Sequence, residues 1–213
     1  LIIENIPLLA RKGVRTLYMR RLLNDFAQDD LNRYFQSGSM SEELQDSLEA
    51  MSTDPAEQFN ELQLIKTARS NGIRVQAIDC AAHYKYTDPL VDRSAQMARN
   101  YLAHRIINAD KALNGGGKWL VMTAPTSTNT FREVAGISEL EGGMGVRIEE
   151  VYPGEGHDIR VDPGAPVDHD TMEPDEHMSV PFNTLHADLR VQVEAPPVQR
   201  TELQNRLLLF RKG

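Results

Sequence analysis

The sequence predicts an α/β fold: a mainly parallel sheet with helices on both faces, a long acidic loop, and one or more C-terminal strands. Three observations carry this. Short β-type runs, VRTLYM at 14–19, IRVQAI at 73–78 and KWLVMT at 118–123, alternate with helix-length segments. The segment before the third run has an apolar residue every three or four positions, the period of a helix that buries one face. From Glu139 onward the chain turns strongly acidic and rich in Pro and Gly, the composition of a loop.

Taken in order, 4–12 reads as the end of a helix stopped by Gly13, and 14–19 as the first strand. A helical region follows around 29–36. Ser39 and Glu42 have capping-box spacing, which predicts a helix from about Met40. Asp54-Pro55 is a helix start, and Phe59, Leu62, Ile65 and Ala68 then form an apolar stripe up to Asn71-Gly72. Asp88-Pro89 repeats the signal before a long helix whose predicted buried face is Val91, Ala95, Ala98, Leu102, Ile106, Ala109 and Leu113. Gly115-Gly116-Gly117 ends it. They precede a strand, with no Gly-Lys-Ser/Thr run, so they read as a turn and not a phosphate cradle. Residues 145–151 are predicted as a fourth strand and 189–193 as a later one. Residues 201–210 fit a terminal strand or a short helix.

The length of 213 residues suits one domain with an appendage. The expected division is a core over 1–151, an acidic Pro/Gly-rich loop over 152–183, and a C-terminal extension over 184–213 that packs on the same domain. The single cysteine, Cys80, excludes an internal disulfide framework and a thiolate-rich zinc site. A net charge of −8 disfavours a nucleic-acid partner. No apolar run is long enough for a transmembrane segment. The sequence begins at Leu1, inside an apolar segment, which fits a piece of a larger protein.

In a parallel sheet, ligands bind beyond the carboxyl ends of the strands. Those ends are Met19-Arg20-Arg21, Asp79-Cys80 and Ala124-Pro125-Thr126-Ser127, so the candidate cleft comprises Arg20, Arg21, Asp79, His83, Ser127 and Asn129. Each has an ordinary structural reading as well. Arg20 and Arg21 read as solvated or salt-bridged surface arginines, or as an anion pocket. Asp79 reads as an acceptor for backbone N–H groups, Cys80 as a buried small hydrophobe, and His104 as a boundary histidine with a satisfied ring. Asn129 is expected to cap the turn or helix after the third strand. Cys80 and His83 are neighbours in sequence only, which does not make a dyad. Ser127 lacks the G-x-S-x-G elbow of a hydrolase nucleophile. His157, His169 and His177, with Asp168, Asp170, Glu173, Asp175 and Glu176, match no defined metal motif. They are read as a solvated loop or an acidic docking strip.

TLYM followed by LL at 16–23, AIDCAA at 77–82 and TNTFREVAGISELEGGMGVRIEEV at 128–151 together resemble the Tiki/ChaN/erythromycin-esterase-like superfamily. The resemblance is nearest to the version found inside large bacterial toxins of the mitogenic and dermonecrotic group. It covers roughly residues 1–151. It implies a metal-dependent hydrolase fold, with His and carboxylate ligands in a Gly-Glu-x-His turn, a Glu after the second strand of that pattern, and a later Gly-x-x-His turn. This chain departs from that pattern. The first turn would precede Leu1. Arg20 stands where the Glu belongs, and Ser127 where the second His belongs. An arginine is always charged and ligates no metal.

The expectation is therefore a degenerate, non-catalytic module without cofactor or metal, serving as scaffold or interaction domain. Its expected partners are adjacent modules of the same toxin and a host protein. The resemblance implies a secreted or injected bacterial protein acting in a host cell. Two alternatives stay open: a metal-dependent hydrolase with ligands partly upstream of residue 1, and a small-anion binder.

Overall fold

The computed structural model describes residues 2–51, 60–82, 93–151, 154, 158–166 and 184–194. Helix α1 (Ile2–Arg11) passes through Gly13, whose φ of 91° suits only glycine, into β1 (Val14–Leu23). Then come α2 (Asn24–Ser37), α3 (Glu42–Glu49), α4 (Glu61–Ser70), β2 (Arg74–Asp79), α5 (Arg93–Asn114) and β3 (Lys118–Met122). The three strands form one parallel sheet in the order β2-β1-β3, with Leu17 of β1 aligned to Val75 and Leu120 on its two sides.

Helices cover both faces, as the sequence predicts. On one face Leu17, Met19 and Leu22 join Leu31, Leu48, Ile65 and Val75 in a core roofed by α1 to α4. On the other, Tyr18 and Ile78 pack against Ala103 and Ile107 of α5. The outer edge of β2 is sealed by side chains of α2. Gln28 Oε1 accepts from Ala77 N at 2.7 Å, and Asn24 Nδ2 donates to Ala77 O at 3.1 Å. These amides take the place of a neighbouring strand and close an edge open to intermolecular pairing.

Several predicted boundaries move. β1 continues past Met19 to Leu23, because the side chain of Arg20 is buried and ion-paired and a register shift between Met19 and Leu23 keeps the strand on the sheet. α2 begins at Asn24, well before position 29. The cap of α3 is Ser41, which accepts from Leu44 N, in place of Ser39. α4 is capped by Asn60, and the start signal at Asp54-Pro55 lies outside the described residues, as does Phe59. The buried face of α5 is also different from the predicted stripe. It carries Ala95, Gln96, Asn100, Ala103, Ile107 and Asp110, whereas Ala98 and Ala109 are exposed and Leu113 is 83% exposed. Polar residues occupy this face because each finds a partner inside; of the predicted stripe, Ala95 is buried, Leu102 and Ile106 are half-buried, and Val91 lies outside the described residues.

After β3 the chain makes a 3-10 turn (Pro125–Ser127) and a short helix α6 (Ile137–Glu141). A Cβ on Gly136, just before α6, would sit 2.4 Å from Thr128 O, so the loop closes only around a glycine. The remaining strands are β4 (Val146–Val151), β5 (Ile159–Val161), β6 (Ala165–Pro166), β7 (Thr184–Leu185) and β8 (Leu189–Glu194). β4 does not extend the parallel sheet. It forms a second sheet in the order β4-β8-β5, parallel to β8, with β5 antiparallel to β8. The described part of the predicted loop thus contributes strands β5 and β6. Asp162 ties this sheet together. Its carboxylate takes Arg147 Nε at 2.9 Å, Ala187 N at 3.0 Å and Gly164 N at 3.1 Å. The Arg147 hydrogen bonds lower its pKa to about 2 against an opposing push from burial.

Candidate functional site

The carboxyl ends of β1, β2 and β3 converge on one buried polar cluster. β1 supplies Arg20, 5% exposed, and β2 ends on Asp79, 1% exposed. Asp79 Oδ2 receives Arg99 Nη2 at 2.8 Å and lies 3.7 Å from Arg20 Nε, while Oδ1 accepts from Cys80 N at 2.9 Å. Arg20 Nη1 donates to Asn100 Oδ1 at 2.9 Å and approaches Thr123 Oγ1, just past β3, at 3.5 Å. Asn100 Nδ2 donates to Ala135 O at 2.8 Å, and Gln96 Nε2 donates to Thr126 O. One turn of α5 therefore stitches all three strand ends to the loop before α6. Asp25 at the start of α2 adds a cap by accepting from Ala81 N at 3.2 Å.

Of the residues singled out from sequence, Arg20 and Asp79 meet here as an ion pair, so Arg20 is a buried residue and not a surface one. Arg21 alternates to the other side of the strand, where it is largely exposed and bonded to Glu61 and Met51 O. Ser127 is buried in the 3-10 turn, 3% exposed. Asn129 does not cap: its Oδ1 is buried and makes no hydrogen bond among the described residues. Glu139 closes that loop instead, accepting from Thr130 N and Gly136 N, each at 2.9 Å. Cys80 is half-buried, not fully buried. His83 and the acidic-loop histidines His157, His169 and His177 lie outside the described residues. His104 is satisfied as expected, with Nδ1 2.8 Å from Glu141 Oε1.

Sequence reasoning missed Gln96, Arg99, Asn100 and Thr123. Gln96 and Asn100 sit four apart, which places them on one face of a helix, but polar residues at helical spacing read as a solvated stripe. The same helix carries a second polar lock at its far end. Asp110 accepts from Tyr18 Oη at 2.8 Å and from both terminal nitrogens of Arg74 at 2.7 and 2.6 Å. Burial, followed by the Asp110 carboxylate, pushes the Tyr18 hydroxyl well above its ordinary pKa. Burial pushes the Asp110 carboxyl upward, but the hydrogen bonds from Arg74 and Tyr18 outweigh it and leave it below its ordinary value. These bonds fasten α5 to the middle of β1 and the start of β2.

Among the described residues no group of three or more His, Cys, Asp and Glu side chains could hold a metal ion. Asp79, at the end of β2, already faces two guanidinium groups, and a dication taken up by it would have to displace or overcome both. A cleft of about 520 Å³ lies elsewhere, between α2 and α5, lined by Asn24, Phe35, Gln76, Ile106, Asp110 and Leu113. None of the described helices is long and apolar enough to cross a membrane.

No protein-family model matches the sequence, and no curated protein does. Solved structures share its fold. RRSP, a MARTX toxin effector domain from Vibrio vulnificus CMCP6, is 24% identical with a TM-score of 0.54, over 67% of this chain and 28% of that one. The type III effector HopBA1 is 14% identical with a TM-score of 0.54, over 92% of this chain and 81% of that one. The C-terminal region of Pasteurella multocida toxin is 17% identical with a TM-score of 0.51, over 65% of this chain and 20% of that one. The chain thus spans less than a third of the length of RRSP.

Proposed function

We propose that this chain is a non-catalytic α/β module of a larger bacterial toxin or effector, secreted or injected, that works in a host cell as a scaffold or interaction element. The observation that carries this reading is the Arg20–Asp79–Arg99 node. In the Tiki-like pattern that the sequence resembles, the ends of these strands hold carboxylates and imidazoles around a metal. Here a permanent cation has entered, the imidazole position is a buried serine, and the remaining carboxylate serves as the counter-ion. The groups that would do chemistry instead hold the strands, α5 and the following loop together. The shared fold of a MARTX effector domain, a type III effector and the Pasteurella toxin region supports the toxin setting. The partners are neighbouring modules of the same polypeptide and a host protein.

Two measurements test this. Elemental analysis with melting in millimolar Mn²⁺ or Zn²⁺ should find no stoichiometric metal and a shift below about 1 °C. A bound equivalent whose removal lowers the melting point by several degrees restores the hydrolase reading, since a ligand bound only to the native state stabilises it. In the parent polypeptide, Ser127→Ala should leave the effect on host cells unchanged. Loss of that effect at an unchanged melting point would show that Ser127 takes part in chemistry.

A further inference from the structure

The cleft between α2 and α5 is lined differently from the strand-end cluster. Its volume of about 520 Å³ lies in the range that takes one small ligand. Five carboxamides line it: Asn24, Asn32, Gln36, Gln76 and Asn114. Three of them have the nitrogen engaged and the oxygen open. Asn24 Nδ2 donates to Ala77 O at 3.1 Å, Gln76 Nε2 to the same oxygen at 3.1 Å, and Asn114 Nδ2 to Asp110 Oδ1 at 2.9 Å, whereas the amide oxygens have no partner among the described residues. Gln76 is the deepest of these, 8% exposed. In Asn32 the oxygen is taken, by Gln28 Nε2 at 2.9 Å, and the nitrogen is open. Gln36, exposed at the rim, adds a donor and an acceptor. The two charged residues of the lining cancel. Arg74 and Asp110 bond each other at 2.7 and 2.6 Å, and Tyr18 and Asn114 fill the remaining sites of the carboxylate. Phe35, Ile106 and Leu113 supply an apolar wall, with Leu113 83% exposed.

We propose that this cleft binds a neutral sugar, one or two rings of an oligosaccharide. The other ligand classes each meet an obstacle. A phosphate or carboxylate would find Arg74 already bound and the Asp110 carboxylate beside it. A wholly apolar ligand would bury the open amide oxygens without donors. An extended peptide added to β2 needs free backbone groups, but Gln28 and Asn24 hold Ala77 N and O, and Gln28 Nε2 also lies 3.4 Å from Val75 O. A sugar hydroxyl both donates and accepts without charge. It can therefore serve the open oxygens of Asn24, Gln76 and Asn114 and the open nitrogen of Asn32 together. The C–H face of a pyranose ring suits the wall of Phe35, Ile106 and Leu113, which removes it from water. The site stands apart from the Arg20–Asp79–Arg99 node, so it does not depend on whether that node is catalytic.

Side-chain amide resonances of the ¹⁵N-labelled full chain test this. Maltose, lactose, mannobiose and N,N′-diacetylchitobiose are titrated in turn. At least one should shift the Asn32 and Asn114 side-chain signals saturably, with a Kd of about 1 mM or below. Ala109→Trp, which fills the cleft from α5, should abolish the shifts at an unchanged melting point. Asn32→Ala/Asn114→Ala alters two exposed residues and should weaken binding about tenfold or more, the loss of one or two hydrogen bonds. This double variant decides the matter by itself if Ala109→Trp does not fold. Four disaccharides without effect overturn the proposal. So do saturable shifts with adenosine or an acetylated tripeptide and none with a sugar, and so does a sugar response that both variants leave unchanged.

Discussion

The two sheets put opposite chemistry inside. In the parallel sheet the central strand runs Leu17-Tyr18-Met19, every side chain 1% exposed, and its own buried charge is Arg20 near its end, paired with Asp79. In the second sheet the strands alternate, and the alternate that goes inside is the ionic one, Arg147 with Asp162 and Arg190 with Glu149. A strand buried on both faces leaves no choice of orientation. An alternating strand leaves two, and the Arg147–Asp162 pair with its backbone donors at Gly164 and Ala187 selects one of them.

The largest test of this contrast is Asp79→Ala. It strands Arg20 and Arg99 against each other in a buried site, and removal of one member of a buried pair costs about 3–5 kcal/mol. Urea melts should show that loss. The double variant Arg20→Met/Asp79→Leu should recover a large part of it, and failure to recover would mean that the node does more than hold the strand ends together.

The matching test in the second sheet uses acid. The folded pKa of Asp162, about 2, lies below its ordinary value of 3.8, so its contribution is present above pH about 4 and is lost as pH falls through about 2. At about 1.4 kcal/mol per pKa unit the shift is worth about 2 kcal/mol. Asp162→Asn should therefore lower stability by about that amount at pH 7 and by little at pH 2, read as converging melting points of the two proteins. Melting curves that stay parallel down to pH 2 would remove the ionic selection of that face.

A smaller effect sharpens the account of the parallel sheet. Gln28→Leu leaves Ala77 N unpaired at the sealed edge of β2, at a cost of about 1–3 kcal/mol, and should speed hydrogen exchange at Ala77. Smallest of all is Arg21→Ala. It deletes an exposed ion pair one residue from Arg20 and should change stability by less than about 1 kcal/mol.

Much of the fold could be read from the chain. The three parallel strands, the helices between them, Gly13 as a stop and the α/β class follow from local periodicity and punctuation, which act within a few residues. Arg20 and Asp79 were also legible as strand-end residues, because topology fixes where strand ends gather. Their pairing was not, nor were Gln96, Arg99 and Asn100, since whether a polar side chain is solvated or buried depends on a partner far away in sequence. Arg20 and Asn100 are 80 residues apart.

By itself, then, the sequence determined which segments of the parallel sheet and its covering helices become strands and helices and which strand ends meet, since these depend on nearest neighbours and on the handedness of the chain. Only the tertiary structure decided which face of α5 turns inward, that β4 leaves the parallel sheet for β8, and that Arg147 and Arg190 of the second sheet lie within while Ile159 and Val161 lie without. Each of those choices turns on the desolvation of a charge, which is offset only when a distant opposite charge or hydrogen-bond partner reaches it.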